Sequence, residues 1–188
     1  MQELWAQFEG WLQEHWPEGL ADLNPPATDA EIQALEGGLG VALPADFVAC
    51  LQLHNGQANG VGGLFNGTDF LSSHAVLGEW KIWKELLDGG HFADIKSEPP
   101  AGVRDDWWNP RWIPFTYNGC GDHDCIDLDP AAGGQSGQVI SMWHDMAERD
   151  IQAPSFQAWF ADYVQAVLAG EYVYSADYGG LVRAEDLD

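Results

Sequence analysis

The stretch that decides the fold is WIPFTYNGCGDHDCIDLD, which runs from Trp112 to Asp129. Its first six residues, 112–117, are largely apolar and aromatic and predict a β-strand. Pro114 indicates that this strand lies at a sheet edge or ends there, because proline cannot donate a hydrogen bond to the ladder. A second strand is predicted over 125–129, where apolar and polar residues alternate as in a half-buried strand. The stretch therefore predicts a β-hairpin.

The connection between these two strands is short and acidic. Asn118 and Gly119 form a dipeptide that favours a tight turn, since both residues tolerate positive φ. Gly121 and Asp122 widen that turn into a loop. Four carboxylates fall within eight residues, those of Asp122, Asp124, Asp127 and Asp129.

Hydrophobic periodicity predicts helices on both sides of the hairpin. Apolar residues at helical spacing favour helices over 4–16, 28–37, 44–53, 74–87 and 155–168. Thr28 and Glu31 form a capping box at the start of the second helix, and Gly37-Gly38 is expected to end it. Ser155 is expected to cap the last helix.

Further strands complete the predicted sheet. A third strand over 139–143 gives a three-stranded antiparallel meander, which can pack helices on one side. A small hairpin is predicted in the tail, with strands at 172–174 and 181–182. We therefore expect an α+β fold, with an antiparallel central sheet packed by N-terminal helices and a long C-terminal helix.

Three motifs in fixed order resemble the central signature of the SUKH superfamily, the Smi/Knr type of domain. They are Trp-x-Pro-Phe, Asn-Gly-x-Gly-Asp and Asp-Leu-Asp-Pro, at 112–115, 118–122 and 127–130. The upstream segment 43–56 and the aromatic helix near Trp159 are also similar to the family, and the resemblance covers about 28–168. The signature residues with an expected structural role are Trp112, Pro114, Phe115, Gly119, Gly121, Asp127 and Leu128.

The resemblance implies a binding domain without known catalysis. In bacteria, domains of this superfamily are chiefly immunity proteins that neutralise secreted toxins. In fungi they regulate cell-wall synthesis. A regulatory scaffold of the fungal kind would be expected to have long disordered flanks with interaction motifs, and we find none in this sequence, which favours a single partner.

The length and composition predict one folded domain spanning 1–188. The chain has 188 residues, 46% of them hydrophobic, which is enough for a core without disulfide support. Its start lacks the basic and apolar regions of a signal peptide, and no apolar run has the length of a membrane span. Three cysteines, Cys50, Cys120 and Cys125, form no disulfide framework. We therefore expect a cytoplasmic protein.

The net charge limits the class of partner. Thirty acidic residues against seven basic ones give −23. Such a field repels nucleic acid and anionic membranes and attracts basic partners. The alternative is that the acidity only serves solubility or a salty habitat.

Acids next to tryptophans indicate a candidate partner surface. Asp105-Asp106-Trp107-Trp108 places two carboxylates beside two indoles, and tryptophan is enriched among binding hot spots. The alternative is that both indoles cover the sheet. The predicted partner-binding residues are Asp105, Asp106, Trp107, Trp108, Asp122 and Asp124.

The acidic loop is also a candidate metal-binding site. Potential ligands crowd there, namely Cys120, Asp122, His123, Asp124 and Cys125, and His144 ends the neighbouring predicted strand. A structural zinc site needs four ligands, and the second cysteine pair is missing. A calcium loop also fits poorly, since Asp127 stands where the EF-hand pattern needs glycine. We favour a turn capped by Asp side chains and expect no metal.

No motif in the sequence indicates catalysis. A cysteine near His and Asp, or a pair of carboxylates, would suit a hydrolase. However, the chain has no nucleophile elbow, phosphate-binding loop, dinucleotide fingerprint or zinc-protease motif. We therefore predict a non-enzyme without catalytic residues or cofactors.

Our main hypothesis is an immunity protein that neutralises a secreted toxin, a basic effector such as a nuclease, through its acidic surface. We expect a monomer or weak dimer that binds no nucleic acid and no membrane. The alternative is a non-catalytic regulatory or scaffold protein of the Smi/Knr cell-wall type. A third hypothesis is a metal-binding or hydrolytic protein that uses the loop 122–129.

Overall fold

Four antiparallel strands form the central sheet in the computed structural model, which describes residues 1–58 and 60–187. They are β2 (Trp112–Pro114), β4 (His123–Asp127), β5 (Gln138–Met142) and β6 (Ile151–Ala153), paired in the order β2-β4-β5-β6. The predicted hairpin is present as β2 and β4, with Pro114 opposite Cys125. Pro114 is the last residue of an edge strand, which is where a residue without an N–H fits.

The part of the chain that the structure describes contains six α-helices. They are α1 (Gln2–His15), α2 (Pro17–Ala21), α3 (Asp29–Leu39), α4 (Ala45–Leu51), α5 (Ser73–Asp88) and α6 (Phe156–Leu168), and a short 3-10 turn covers Ala184–Asp186. Side-chain caps fix three of the helix starts. Thr28 and Glu31 form the predicted capping box, and the hydroxyls of Ser72 and Ser155 accept hydrogen bonds from the first turns of α5 and α6. The predicted α+β class is confirmed.

The end of α3 differs from the prediction. The helix continues through Gly37 and Gly38 to Leu39, because Leu39 is buried and holds the last turn against the core. Gly40 then ends the helix in the left-handed conformation, with φ 71°. Burial of the apolar side chain at position 39 therefore outweighed the tendency of the two glycines to end the helix.

Helices cover the sheet on both faces. In β4, His123, Cys125 and Asp127 point to one face, and Trp83 of α5 contacts His123 there. On the other face α6 contacts β5 and β6. The expectation that β4 is half-buried was wrong, since Cys125, Ile126 and Asp127 are all fully buried. The strand also starts and ends two residues earlier than predicted.

Two small ribbons extend this architecture. β1 (Asp69–Phe70) pairs with β3 (Thr116–Tyr117), and β7 (Tyr172–Ser175) pairs with β8 (Gly180–Arg183). The tail hairpin was predicted, whereas β1 and β6 were not. Each of these two missed strands has only two or three residues, too few to show a period.

A single buried cluster of apolar side chains runs from Trp5 in α1 to Leu181 in β8. Aromatic rings dominate it, and the α1–α6 contact is built on Trp5, Phe8 and Phe160. Within the described residues, no helix has the length and apolar character that crossing a bilayer requires.

Candidate functional site

A cleft of about 470 Å³ opens between the α6 face of the sheet and a neighbouring turn. The sheet supplies Asp124 and Ser141, which lie opposite each other in β4 and β5, and Trp143 just beyond β5. Helix α6 supplies Trp159 and Tyr163. The turn forms the rim and contains Asn66 and Gly67.

The rim turn is fixed by its backbone. Phe65 and Thr68 exchange two backbone hydrogen bonds of 3.0 and 2.9 Å, and the two residues between them have φ of 49° and 74°. Positive φ at both central positions is the geometry of a two-residue hairpin turn, which Asn-Gly favours. The N–H of Gly67 donates to the carbonyl of Leu181, so that the rim is attached to β8.

Asp124 is the acidic group of the cleft. Its own N–H donates to Thr116 Oγ1 at 2.6 Å, and its carbonyl accepts from the N–H of Phe115. Its half-buried carboxylate lines the cleft and has no Lys, Arg or His within ion-pair distance among the residues that the structure describes. Burial raises the pKa of Asp124 to about 7, because water solvates its charged form poorly there.

Aromatic rings form the wall opposite Asp124. Trp159 and Tyr163, one turn apart on α6, lie nearly parallel with an interplanar angle of 7°. The Tyr163 hydroxyl donates to the carbonyl of Leu64 at 2.7 Å, which orients the ring. Trp143 is 48% exposed and marks the open end of the cleft. Flat apolar surface beside a carboxylate is therefore available to a ligand.

The cleft continues into a second concavity of about 570 Å³ on the far side of Tyr172. Arg183 lines both the cleft and this concavity, and its guanidinium lies 5.3 Å from the centroid of the Tyr172 ring. Its Nη1 is 3.5 Å from Glu185. Asp162 and Glu171 add two exposed acids to this part of the groove.

At the other end of the cleft, Asp122 joins two loops. Its Oδ1 accepts hydrogen bonds from the backbone N–H and the Nδ1 of His144, both at 2.9 Å, and its Oδ2 accepts from Asn118 Nδ2. The Asn118 side-chain oxygen in turn accepts from the N–H groups of Cys120 and Asp122. The acidic loop is thus the predicted turn, in which Gly119 and Gly121 have φ of 83° and 109°.

This junction is also where potential metal ligands come closest. Asp122, His144 and Asp145 could place one ligand atom each within 4.8 Å of one another. However, the hydrogen bond that His144 donates to Asp122 raises the pKa of His144 and favours its protonated form. A protonated imidazole does not bind metal, so the arrangement suits an ion pair better. His123, Asp124 and Cys125, which are adjacent in sequence, point to alternate faces of β4.

The opposite face of β4 is closed. His123 Nδ1 donates to the carbonyl of Thr116 at 2.7 Å, and its Nε2 accepts from the indole N–H of Trp83 at 3.2 Å. Burial lowers the pKa of His123 to about 4, which keeps the ring neutral at pH 7. Both nitrogens are occupied, so this histidine is not available as a base for Cys125, whose thiol pKa is raised by burial.

The predicted surface around Trp107 lies at the other end of β4 from the cleft. Trp108 is buried, and its ring packs against Trp80 and Trp83 of α5, so it covers the sheet. Trp107 is half-buried under the guanidinium of Arg149, which lies 5.0 Å from the ring centroid. A partner could reach Trp107 but not Trp108.

The acids of that surface are partly neutralised by the chain itself. Asp105 lies 3.2 Å from Lys96, and Asp106 accepts a hydrogen bond from Asn109. The structure therefore separates the six predicted partner-binding residues into two groups. Asp122 and Asp124 belong to the cleft, whereas Asp105, Asp106, Trp107 and Trp108 do not.

The signature residues hold the hairpin in place. Trp112, Pro114 and Phe115 are buried, and Leu128 packs partly against the core. The buried carboxylate of Asp127 accepts from the N–H of Asp129 and from Gln138 Nε2, both at 2.9 Å. These signature residues therefore contact other parts of the chain and stabilise the fold.

Sequence reasoning missed most of the cleft. Trp159 and Tyr163 were assigned to the inward stripe of α6, and Tyr172 to a strand of the tail hairpin, with no sign that these residues meet Asp124. Arg183 was given no role. One signal was present. Strand alternation placed Trp143 on the same face as Ser141, and a large aromatic following a polar residue at a strand end indicates an uncovered edge.

Comparison with known proteins identifies the family of the chain. Residues 26–162 match the model of the SMI1/KNR4 family (SUKH-1). The chain belongs to this family. The suspected SUKH resemblance is therefore confirmed, and the matched segment contains the β2–β4 hairpin, Trp143 and Trp159.

Three curated fungal relatives match nearly the whole chain. The cell wall assembly regulator SMI1 of Saccharomyces cerevisiae is 25% identical over 89% of this chain and 40% of its own length. KNR4/SMI1 homolog 2 of Debaryomyces hansenii is 25% identical over 90% and 36%. The cell wall biosynthesis/cell cycle regulator smi1 of Schizosaccharomyces pombe is 27% identical over 95% and 38%. The chain thus spans about two fifths of the length of these SMI1/KNR4 relatives.

Proposed function

We propose that this SMI1/KNR4-family chain is a non-catalytic regulatory domain, and that it binds a protein partner in the cleft between β4, β5 and α6. The observation that carries the proposal is the cleft itself. It combines a carboxylate without an ion-pair partner, a rigid aromatic wall and an exposed tryptophan. Rigid aromatic surface near a few polar groups is typical of protein recognition sites.

The fungal relatives support a regulatory role over the toxin-immunity role that the sequence first favoured. All three are regulators or their homologues by name, two of them in cell-wall assembly or biosynthesis. In each, the part that resembles this chain is a minority of the protein. A domain that binds partners on behalf of a longer regulator fits this pattern. We place the chain in the cytoplasm, where its three free cysteines would stay reduced.

Toxin immunity is the second candidate. The observation that favours it is the net charge of −23, which would steer a basic effector to the domain at low salt. Both candidates place a basic partner in contact with an acidic domain, and they differ in what the partner is.

A complementation experiment separates these candidates. The gene is deleted in the organism that encodes it and restored as wild type, as Trp143→Ala or as Tyr178→Ala. Tyr178 is 58% exposed and lies outside the cleft, so it is the matched control. We expect the deletion to sensitise cells to a cell-wall-binding dye, and the wild type and Tyr178→Ala, but not Trp143→Ala, to restore resistance.

A second arm co-expresses the chain with the protein encoded beside it. Protection of cells from a toxic neighbour, together with unchanged dye resistance in the deletion strain, would overturn the regulatory proposal in favour of immunity. Equal rescue by Trp143→Ala and Tyr178→Ala would remove the cleft from either function.

A further inference from the structure

We propose that the cleft receives an arginine side chain of the partner protein, with the guanidinium pairing with Asp124 and stacking on the aromatic wall. This inference rests on the proposed function, because it names the chemistry by which that partner is held. It is carried by the geometry of three residues, Asp124, Trp143 and Trp159.

The first argument is charge complementarity. The side chain of Asp124 is half-buried, its backbone is fixed by Thr116 and Phe115, and its carboxylate lines the cleft. Among the described residues, no basic side chain forms an ion pair with Asp124. Five of the seven Lys and Arg residues have other partners: Lys84 pairs with Asp88, Lys96 with Asp105, Arg104 with Asp129, Arg149 with Trp107, and Arg183, which also lines the cleft, with Glu185. The other two, Lys81 and Arg111, are exposed and do not line the cleft. A carboxylate that has lost water and gained no cation is a strong acceptor for an incoming one.

The second argument favours arginine over lysine. A guanidinium is planar, can hold both carboxylate oxygens, and stacks on aromatic faces, whereas an ammonium is a compact and strongly hydrated charge. The half-buried ring of Trp159 and the exposed ring of Trp143 line the cleft with Asp124 and are the candidate faces, whereas Tyr163 is buried behind them. The chain already stacks two of its own guanidinium groups on rings, Arg183 on Tyr172 and Arg149 on Trp107.

The charged groups around Asp124 leave room for the cation. Asp122 at one end is already bonded to His144, so this pair is near neutral when the histidine is protonated. Arg183 also lines the cleft and opposes a second cation, but its guanidinium lies over Tyr172 and beside Glu185. Asp162 and Glu171 extend the acidic lining there. The middle of the cleft, at Asp124, is therefore where an added positive charge is favoured.

Burial raises the pKa of Asp124 to about 7 in the free chain. A bound cation stabilises the ionised carboxylate and should lower this pKa. Binding of an arginine side chain should therefore tighten as pH rises through 7, whereas binding of a neutral analogue should not change.

The test uses four nine-residue peptides of Gly and Ser with capped ends and a central Arg, Lys, citrulline or Glu. Each is titrated into the full chain at pH 8 while the indole N–H resonances are followed by NMR. We expect the Arg peptide to shift the resonances of Trp143 and Trp159 and to bind about 10- to 100-fold more tightly than the citrulline peptide, the range for one charge-assisted pair. We expect the Lys peptide to lie between them, and spermidine, a free amine, to bind more weakly than the Arg peptide.

Asp124→Asn should abolish the preference for Arg over citrulline, because it removes the charge and keeps the shape. Asp94→Asn is the control, since it makes the same change of net charge at an exposed position outside the cleft. Equal binding of the Arg and citrulline peptides, or equal loss in both variants, would overturn the proposal.

The complementation experiment distinguishes this inference from the proposed function. If Trp143→Ala loses function in cells while Asp124→Asn keeps it, the cleft is a partner site that does not recognise arginine. If both variants restore dye resistance fully, the proposed function fails as well.

Discussion

Both faces of β4 carry polar side chains, but these are buried and hydrogen-bonded on one face and open to a cleft on the other. On the α5 face, His123 and Asp127 are buried and hydrogen-bonded to fixed partners. On the α6 face, Asp124 is equally part of the strand, but its carboxylate faces an open cleft. A polar group whose partners lie within the chain specifies the fold. Asp124 has a hydrogen bond with Thr116 but no ion-pair partner among the described residues, so its charge is available to bind another molecule.

The difference arises from how far each helix covers the sheet. Along β5 on the α6 face, exposure rises from 0% at Val139 to 9% at Ser141 and 48% at Trp143. On the α5 face, Ile140 and Met142 stay at 0% along the same strand. Helix α6 thus covers only one end of its face, and the cleft is the uncovered remainder.

The largest expected effect contrasts two tryptophans on the two faces. Trp112 is 0% exposed and lies on the α5 face, which we call the covered face; the α6 face, with its cleft, is the open face. Replacement of Trp112 by Ala leaves a cavity that the packed core cannot fill. We expect Trp112→Ala to lower the free energy of unfolding by about 3–5 kcal/mol. Trp143→Ala, at the open end of the cleft, should cost less than about 1 kcal/mol. Urea unfolding followed by circular dichroism measures both, and similar losses would show that the cleft is a structural part of the core.

The second effect concerns the hydrogen bonds of the covered face. Gln138→Leu removes the donor to Asp127 Oδ2 and to the carbonyl of Gly102, at 2.9 and 3.0 Å, and leaves both acceptors buried. We expect a loss of about 2 kcal/mol. Gln152→Leu makes the same change at an exposed position lining the cleft, and should alter stability by less than about 0.5 kcal/mol. A loss at Gln152 as large as at Gln138 would contradict the division into a closed and an open face.

The sequence predicted the local elements well and the cleft poorly, for a physical reason. The hairpin of β2 and β4, the Thr28 capping box and the edge position of Pro114 depend on residues close in sequence. The cleft combines Asn66, Asp124, Trp159 and Tyr172, which are brought together only by tertiary packing. The rim turn illustrates this limit of sequence-based prediction. The turn rule used for Asn118-Gly119 applies equally to Asn66-Gly67, but it does not predict that the second turn contacts β8.

The third effect is the pH dependence of stability that Asp124 introduces. Its pKa is raised to about 7 in the folded chain, against about 3.9 when unfolded. The folded state therefore holds the proton more tightly, so this contribution to stability is complete below pH 4 and is lost as pH rises through 7. The asparagine variant lacks the contribution. These two pKa values correspond to about 3 kcal/mol between pH 4.5 and pH 8. Because the carboxylate is only half-buried and solvent screens it, we expect the unfolding free energy of Asp124→Asn, relative to wild type, to be about 1–2 kcal/mol more favourable at pH 8 than at pH 4.5.

Comparison with wild type is necessary because His123 acts in the opposite direction. Its pKa is lowered to about 4, so protonation below pH 6.5 favours the unfolded chain. The variant keeps His123 and isolates Asp124. If the unfolding free energies of the two proteins change with pH in parallel, Asp124 is ionised in the folded chain without an energetic cost. Such a result would contradict the argument that its carboxylate favours binding of a cation.

The smallest expected effect tests the surface that the sequence first indicated. Asp105 and Lys96 form an exposed pair in which each side chain is 66% accessible, so Asp105→Ala should change stability by less than about 0.5 kcal/mol. Asp129, next to the same surface, is five residues along the strand direction from Asp124, or roughly 16 Å. This exceeds the screening length of about 8 Å at physiological salt. Asp105→Ala should therefore leave binding of the Arg peptide within about twofold of wild type. If it weakens that binding as much as Asp124→Asn does, the partner binds around Trp107, and the open face of β4 is not the recognition surface.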